Sequence, residues 1–234
     1  MTAKNIITYT LVFDDQNSYE VPIHLEGKSL ELFTSKPAIL PEWTRLDYCQ
    51  CPNCPLKLEE TPHCPVAINL VELVSHFCDL ISHQTVKVSV QSSSRTYTVE
   101  TTVQDTLSSI LGLYMSCSGC PILDKLRPMA RFHLPFSSYE ETSYRSLSMY
   151  LIAQYLRYKE GKSADWDLEG FVAMYKEIQI VNQAFSQRLC NISQGDANNN
   201  ALVILDCFAS LIAMDTEVET IVSDELKVIL KPFL

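Results

Sequence analysis

Four of the chain's nine cysteines are followed directly by proline: Cys51-Pro52, Cys54-Pro55, Cys64-Pro65 and Cys120-Pro121. Three of these pairs crowd between residues 51 and 65, in the order Cys51-Pro52-Asn53-Cys54-Pro55 and then His63-Cys64-Pro65. Thiolates are soft ligands suited to zinc or to an iron–sulfur cluster, and a proline beside each one fixes φ, so the direction of the sulfur is set by the backbone. Cys51-x-x-Cys54 is a chelating turn, because two intervening residues let both sulfurs face one ion, and Cys64 returns after one irregular loop. A four-coordinate site needs a further ligand. Cys120 shares the Cys-Pro dipeptide and sits on a sharp turn, while Cys49, Cys117 and His63 compete for the same place.

Three readings of the constellation stay open: structural zinc, a 4Fe-4S cluster, or no metal with the cysteines packed as neutral thiols. A zinc knuckle usually places glycine after its second cysteine, so that backbone N–H groups reach the sulfur; here Pro55 stands there and cannot take positive φ. Proline after a ligand cysteine is instead the habit of ferredoxin runs. Cys117-Ser118-Gly119-Cys120 could also be a redox dithiol, but such pairs normally open a helix and this one closes a helix, where the dipole opposes thiolate unless Pro121 starts another. Cys78, Cys190 and Cys207 lie beside Phe77, Leu189 and Phe208 and read as small buried hydrophobes.

Downstream of Cys120, Arg127, Arg131 and His133 stand among apolar residues. They could form an anion pocket or back up the metal ligands, as could His63 beside Cys64. The plainer reading pairs the arginines with Glu140, Glu141 or other acids and has His133 donate to a backbone carbonyl. Glu140-Glu141 suits the first turn of a helix as a dipole complement. There is no Gly-rich phosphate loop, Gly-x-Ser-x-Gly elbow, His-Glu-x-x-His helix or Asp-rich calcium loop. No reaction is assigned, and catalysis is left open.

The elements that must position these groups follow from composition and period. The chain has 234 residues, 47% of them hydrophobic, enough for one large core. Its formal charge of −10 opposes binding to nucleic acid or anionic lipid. With neither an apolar run long enough to span a bilayer nor a signal-like start, the expectation is a soluble cytoplasmic protein. A protein partner is allowed by these features; the oligomeric state is not fixed by them.

Residues 6–13 and 19–24 read as a β-hairpin around Asp14-Asp15-Gln16-Asn17, with a further short strand at 29–33. Six prolines keep 35–64 irregular. Helical spacing runs from Val66 to Leu80 behind Pro65, a second hairpin covers about 85–101, and a helix follows through Leu107 and Tyr114 to a Gly119 cap. Two overlapping capping boxes, Ser137/Glu140 and Ser138/Glu141, open a long helix ending at Gly161; Asp167 is set to cap the next, Gly195-Asp196 breaks it, and 201–214 and 218–230 read as two more. The expected fold is a single α+β domain over 1–234: β-hairpin and Cys/Pro-rich loop in 1–64, mixed helix and hairpin in 65–136, and a helical bundle region in 137–234.

The segments Cys51-Pro-Asn-Cys-Pro-Leu56, His63-Cys-Pro-Val-Ala67, Ser118-Gly-Cys-Pro121 and Pro128-Met-Ala-Arg-Phe-His-Leu-Pro-Phe136, with Glu141-Thr-Ser-Tyr-Arg145 and Ala153-Gln-Tyr155, resemble a family of uncharacterised bacterial proteins. The resemblance runs nearly end to end. It implies a bacterial cytosolic domain and a shared role for Cys51, Cys54, Cys64 and Cys120, and in the family pattern the positions of Cys49 and Cys117 are not cysteine. No activity, cofactor or partner comes with it.

Overall fold

The structure, a computed structural model, describes residues 5–14, 17–34, 37–77, 79–192, 196–214 and 224–234. Strands β1 (Asn5–Val12), β2 (Ser18–Leu25), β3 (Leu32–Phe33), β4 (Thr85–Gln91) and β5 (Thr96–Thr102) form one antiparallel sheet in the order β3-β2-β1-β4-β5. Alternation does the work: Ile7, Tyr9 and Leu11 of β1, Val21, Ile23 and Leu25 of β2, and Val86, Val88 and Val90 of β4 are all buried on one face. β3 is shorter than the expected 29–33, because Leu30 takes φ 58° and the Glu26 and Glu31 backbones bond across the turn at 2.9 Å.

Helices α1 (Pro65–Phe77) and α2 (Val103–Ser116) bury their apolar stripes beside this sheet. A 3₁₀ turn (Leu123–Leu126) and α3 (Arg127–Arg131) follow, then the long helices α4 (Tyr139–Lys159), α5 (Glu169–Cys190) and α6 (Ala197–Met214), and finally α7 (Asp224–Leu230). The chain is therefore α+β with a largely helical second half, as its periodicity predicts. Of the two capping boxes the Ser138/Glu141 register forms, with both reciprocal bonds present.

Some boundaries differ. Asp167 does not cap α5; Leu168 precedes it at φ 60°, and Asp165 two residues earlier accepts from the Gly170 N–H at 2.8 Å and the Tyr150 hydroxyl at 2.7 Å. α6 begins at Ala197 because Asp196 anchors its start, accepting from the Ser82 N–H and hydroxyl at 2.8 and 2.9 Å. The first part of the helix expected over 218–230, like Gly195, lies outside the described residues. Cys190 and Cys207 are exposed rather than buried, since each falls on the outward side of its helix, Cys207 between the exposed Val203 and Leu211; Cys78 is outside the described residues.

Candidate metal centre

Local geometry explains the prolines of the Cys-Pro pairs. Cys64 immediately precedes α1: its carbonyl accepts from the Ile68 N–H at 3.0 Å, with Pro65 as the first helical residue. Cys120 repeats the arrangement, its carbonyl accepting from the Asp124 N–H at 2.9 Å to open the 3₁₀ turn behind Pro121. α2 has already ended at Cys117, and the chain reverses through Gly119 at φ 87°. So Cys120 starts a helical turn instead of closing a helix. The N–H groups of Leu123 and Ile122 bond to its sulfur and favour the thiolate, although burial wins and raises its pKa. This is the N–H···S contact that a zinc knuckle draws from glycine, supplied here by a proline-led turn.

Cys51 and Cys54 lie on a loop pinched at its base. The Leu46 N–H donates to Pro62 O at 2.9 Å, the Cys64 N–H donates to Thr44 O at 2.8 Å, and Arg45 and His63 form an antiparallel bridge. Within the loop the Cys54 N–H donates to Cys51 O at 3.0 Å, closing the turn that separates the two thiols. Asn53, between them, donates to the Glu177 carbonyl at 3.0 Å and carboxylate at 2.7 Å on α5.

The four thiols share one neighbourhood. Burial first, and then Cys64, Cys120 and Cys54, push the Cys51 thiol up to about 12; Cys120 likewise feels Cys64 and Cys54. Residues far apart in the chain are thus near enough to oppose one another's ionisation. They are neighbours without being gathered at ligand distance: among the described residues no three His, Cys, Asp or Glu side chains converge closely enough to hold an ion. The donor set suits zinc or an iron–sulfur cluster in kind, and the remaining difference lies in how closely the sulfurs approach.

The competitors for the fourth place fall away from the cluster. The Cys49 sulfur accepts from the Asn191 amide at 3.5 Å. Cys117 packs into the core, its sulfur 3.8 Å from the Ser116 hydroxyl, and burial raises its pKa, which leaves the Cys117–Cys120 redox pair without an activated member. His63 Nδ1 lies 2.8 Å from the Thr44 hydroxyl, which itself donates to Pro41 O at 2.7 Å. The Thr44 proton being committed, the Nδ1–H of His63 is the donor in this pair.

Two residues that no local sequence signal singles out carry the assembly. Arg188 of α5 is 2% exposed, and its guanidinium donates to Trp43 O at 2.6 Å, Arg45 O at 2.8 Å and Leu46 O at 3.4 Å, the base of the cysteine loop. It stacks near Tyr48 and Phe185, each ring centroid 5.8 Å away, and its charge favours ionised Cys51. Among the described residues it makes no ion pair within 4 Å. Asn69 of α1 donates to Pro65 O at 2.9 Å and Ser118 O at 3.2 Å while accepting from the Thr34 hydroxyl at 2.6 Å, which ties the Cys64 helix to the Cys120 turn.

Arg127, Arg131 and His133 separate. Arg127 pairs with Asp124 and donates to Ser29 O, and Arg131 donates to Gly27 O, so Glu140 and Glu141 are not their partners. His133 reaches the Tyr9 hydroxyl at 2.5 Å instead of a backbone carbonyl, and that hydroxyl is 2.8 Å from Ser109. Burial, with Arg145 nearby, lowers the His133 pKa from 6.5 to about 3, so it is neutral. It borders a cavity of about 440 Å³ between α2, α5 and α6, to which neither Arg127 nor Arg131 contributes.

Residues 7–229 match the family described as a domain of unknown function, DUF6901, and the chain belongs to it. No curated protein and no solved structure matches. No helix among the described residues is long and apolar enough to cross a membrane.

Proposed function

We propose that this chain is a cytoplasmic metal-binding protein in which Cys51, Cys54, Cys64 and Cys120 hold a structural zinc ion, within an interaction or regulatory module. The observation that carries the reading is that Cys54, Cys64 and Cys120, from three separate segments, all lie near enough to oppose ionisation of Cys51, each of the four thiols being followed by proline. Four thiolates around a divalent cation leave a net charge of about −2, and the buried Arg188 guanidinium beside Cys51 is placed to offset it. The Leu123 and Ile122 N–H groups stabilise the Cys120 sulfur in the same sense. When bound, zinc would join the cysteine loop, α1 and the turn after α2 through bonds to sulfur, so that metal binding contributes directly to folding.

The proline after every candidate ligand also favours a second reading, a 4Fe-4S redox or electron-transfer centre on the same thiols. Anaerobic purification followed by elemental analysis and visible absorption separates the two. Zinc predicts a colourless protein with about one equivalent of metal per chain; a brown protein carrying iron and sulfide establishes the second reading instead. Cys64→Ser and Cys120→Ser should each release the metal and lower the thermal midpoint, whereas Cys49→Ser should do neither. Metal-free protein, or metal retained in both of the first two variants, sinks the assignment.

A further inference from the structure

The cavity beside His133 is a site of a different kind. Its walls are mostly apolar, from Leu113, Met115, Leu126, Ile178 and Leu205, and its volume of about 440 Å³ falls within the ordinary range for small-molecule sites. Several serines and threonines and the Asp105 carboxylate, which accepts from the Thr101 and Thr102 hydroxyls at 3.0 and 2.6 Å, also reach that lining, and three further polar groups bear on what it would hold. Arg145 of α4 donates through Nη2 to Met129 O at 3.1 Å and Phe132 O at 2.7 Å, and no carboxylate lies within ion-pair distance of it among the described residues. Glu141, the nearest acid acting on it, is occupied by the Ser138 N–H at 2.8 Å in the α4 capping box. Asn182 of α5 is 4% exposed and borders the cavity with no hydrogen-bond partner among the described residues. His133, held neutral, adds no competing charge beside the guanidinium.

A buried amide and a half-buried cation without an anion are costly unless something satisfies them. We infer that the cavity binds a small organic carboxylate with an apolar body, the carboxylate taken by Arg145 at the His133 side and the body packed between α2, α5 and α6. Arg145 keeps the N–H groups of Nε and Nη1 while its Nη2 bonds to α3 stay in place, and either can give a carboxylate oxygen a single charge-assisted hydrogen bond. The inference stands apart from the metal reading, since none of the four Cys-Pro cysteines lines the cavity.

Calorimetric titration of the full chain at pH 7.5 with octanoate, and in parallel with octan-1-ol as a tail lacking the charge, tests it. Octanoate should bind saturably at about one site per chain, and more tightly than octan-1-ol. Arg145→Gln should weaken octanoate at least about tenfold while changing octan-1-ol by less than about twofold, a tenfold change being readily resolved. Because Arg145 also braces α3, Gly112→Met supplies an independent variant: a Cβ there meets only Leu205 Cδ2 at 3.9 Å, so the helix tolerates it while the longer side chain fills the cavity. It should abolish binding of both probes with the thermal midpoint preserved. Failure of octanoate to bind, equal binding of the two probes, or octanoate binding that survives Gly112→Met overturns the proposal.

Discussion

The cysteine cluster and the cavity are both built around an arginine that has no carboxylate within ion-pair distance among the described residues, and they use it in opposite ways. Arg188 is enclosed and spends its donors on the carbonyls of Trp43, Arg45 and Leu46, so it is a clamp inside the fold. Arg145 spends one nitrogen on α3 and keeps the rest beside open volume. The first region turns its guanidinium onto the chain's own carbonyls and gathers irregular segments, although Arg188 Nε and Asn53 Oδ1 stay unpaired; the second is walled largely by helices and keeps donors beside open volume. The contrast between internal bracing and an external ligand is what mutation can break. Leu123 and Leu126 lie on the turn opened by Cys120 and also line the cavity, so the two regions share one short element.

The largest effect should come from Arg188→Leu. Removing the guanidinium leaves two or three carbonyls unpaired in a buried setting, a loss of about 3–5 kcal/mol by analogy with broken buried charge partners. Urea unfolding should register that loss, together with release of any metal, because the base of the loop carrying Cys51 and Cys54 comes undone. A loss below about 1 kcal/mol would mean that Arg188 is not the clamp.

The cavity side should instead respond to pH. His133 has a folded pKa of about 3 against 6.5 when exposed, so below pH 6.5 the unfolded chain takes up a proton that the folded chain refuses. That contribution to stability is intact above pH 6.5 and declines as the pH falls, by up to about 1.4 kcal/mol per unit, or roughly 2 kcal/mol by pH 5. The groups facing His133 are Tyr9 from β1, Ser109 through that tyrosine, and Arg145 from α4, and among them only Arg145 is charged. His133→Gln should therefore flatten the decline between pH 7.5 and 5. An unchanged slope in denaturant titrations would place the proton elsewhere.

The two regions were unequally visible in the sequence. The Cys-Pro dipeptides announced where the first would lie, because proline after a thiol is a local signal, and the hairpins and helix caps around it are local too. Arg188 and Asn69 carry no such signal: each is an ordinary polar residue in a helix whose importance comes from carbonyls 142 or more and 49 residues away. The cavity was harder still. Arg127 and Arg131 stood out as a local cluster but pair with Asp124 and with turn carbonyls, while Arg145, within the long helix α4, borders the volume. Period and punctuation reveal elements; which polar group fails to find a partner is settled only when distant elements meet.

Asn69→Ala should separate those levels with a smaller effect. Asn69 joins the first turn of α1 to Ser118, two residues before Cys120, so its loss should cost about 1–2 kcal/mol and lower metal affinity without touching octanoate binding. Competition with a chromophoric chelator reads the first effect, calorimetry the second. Equal losses at both sites would show that the shared Cys120 turn couples them.

Ser138→Ala should give the smallest change and sets the scale for the others. It removes one side of the α4 capping box, the bond from the Glu141 N–H at 3.1 Å, with an expected cost of about 1 kcal/mol. The Ser138 N–H still donates to Glu141, so that carboxylate remains occupied and Arg145, one turn further along α4, keeps its surroundings. Thermal unfolding should therefore shift slightly while octanoate affinity and metal content hold. If octanoate affinity falls instead, Arg145 depends on the cap for its position, and the cavity is less preformed than its helical walls imply; if metal content falls, the division into two regions braced by two different arginines is wrong.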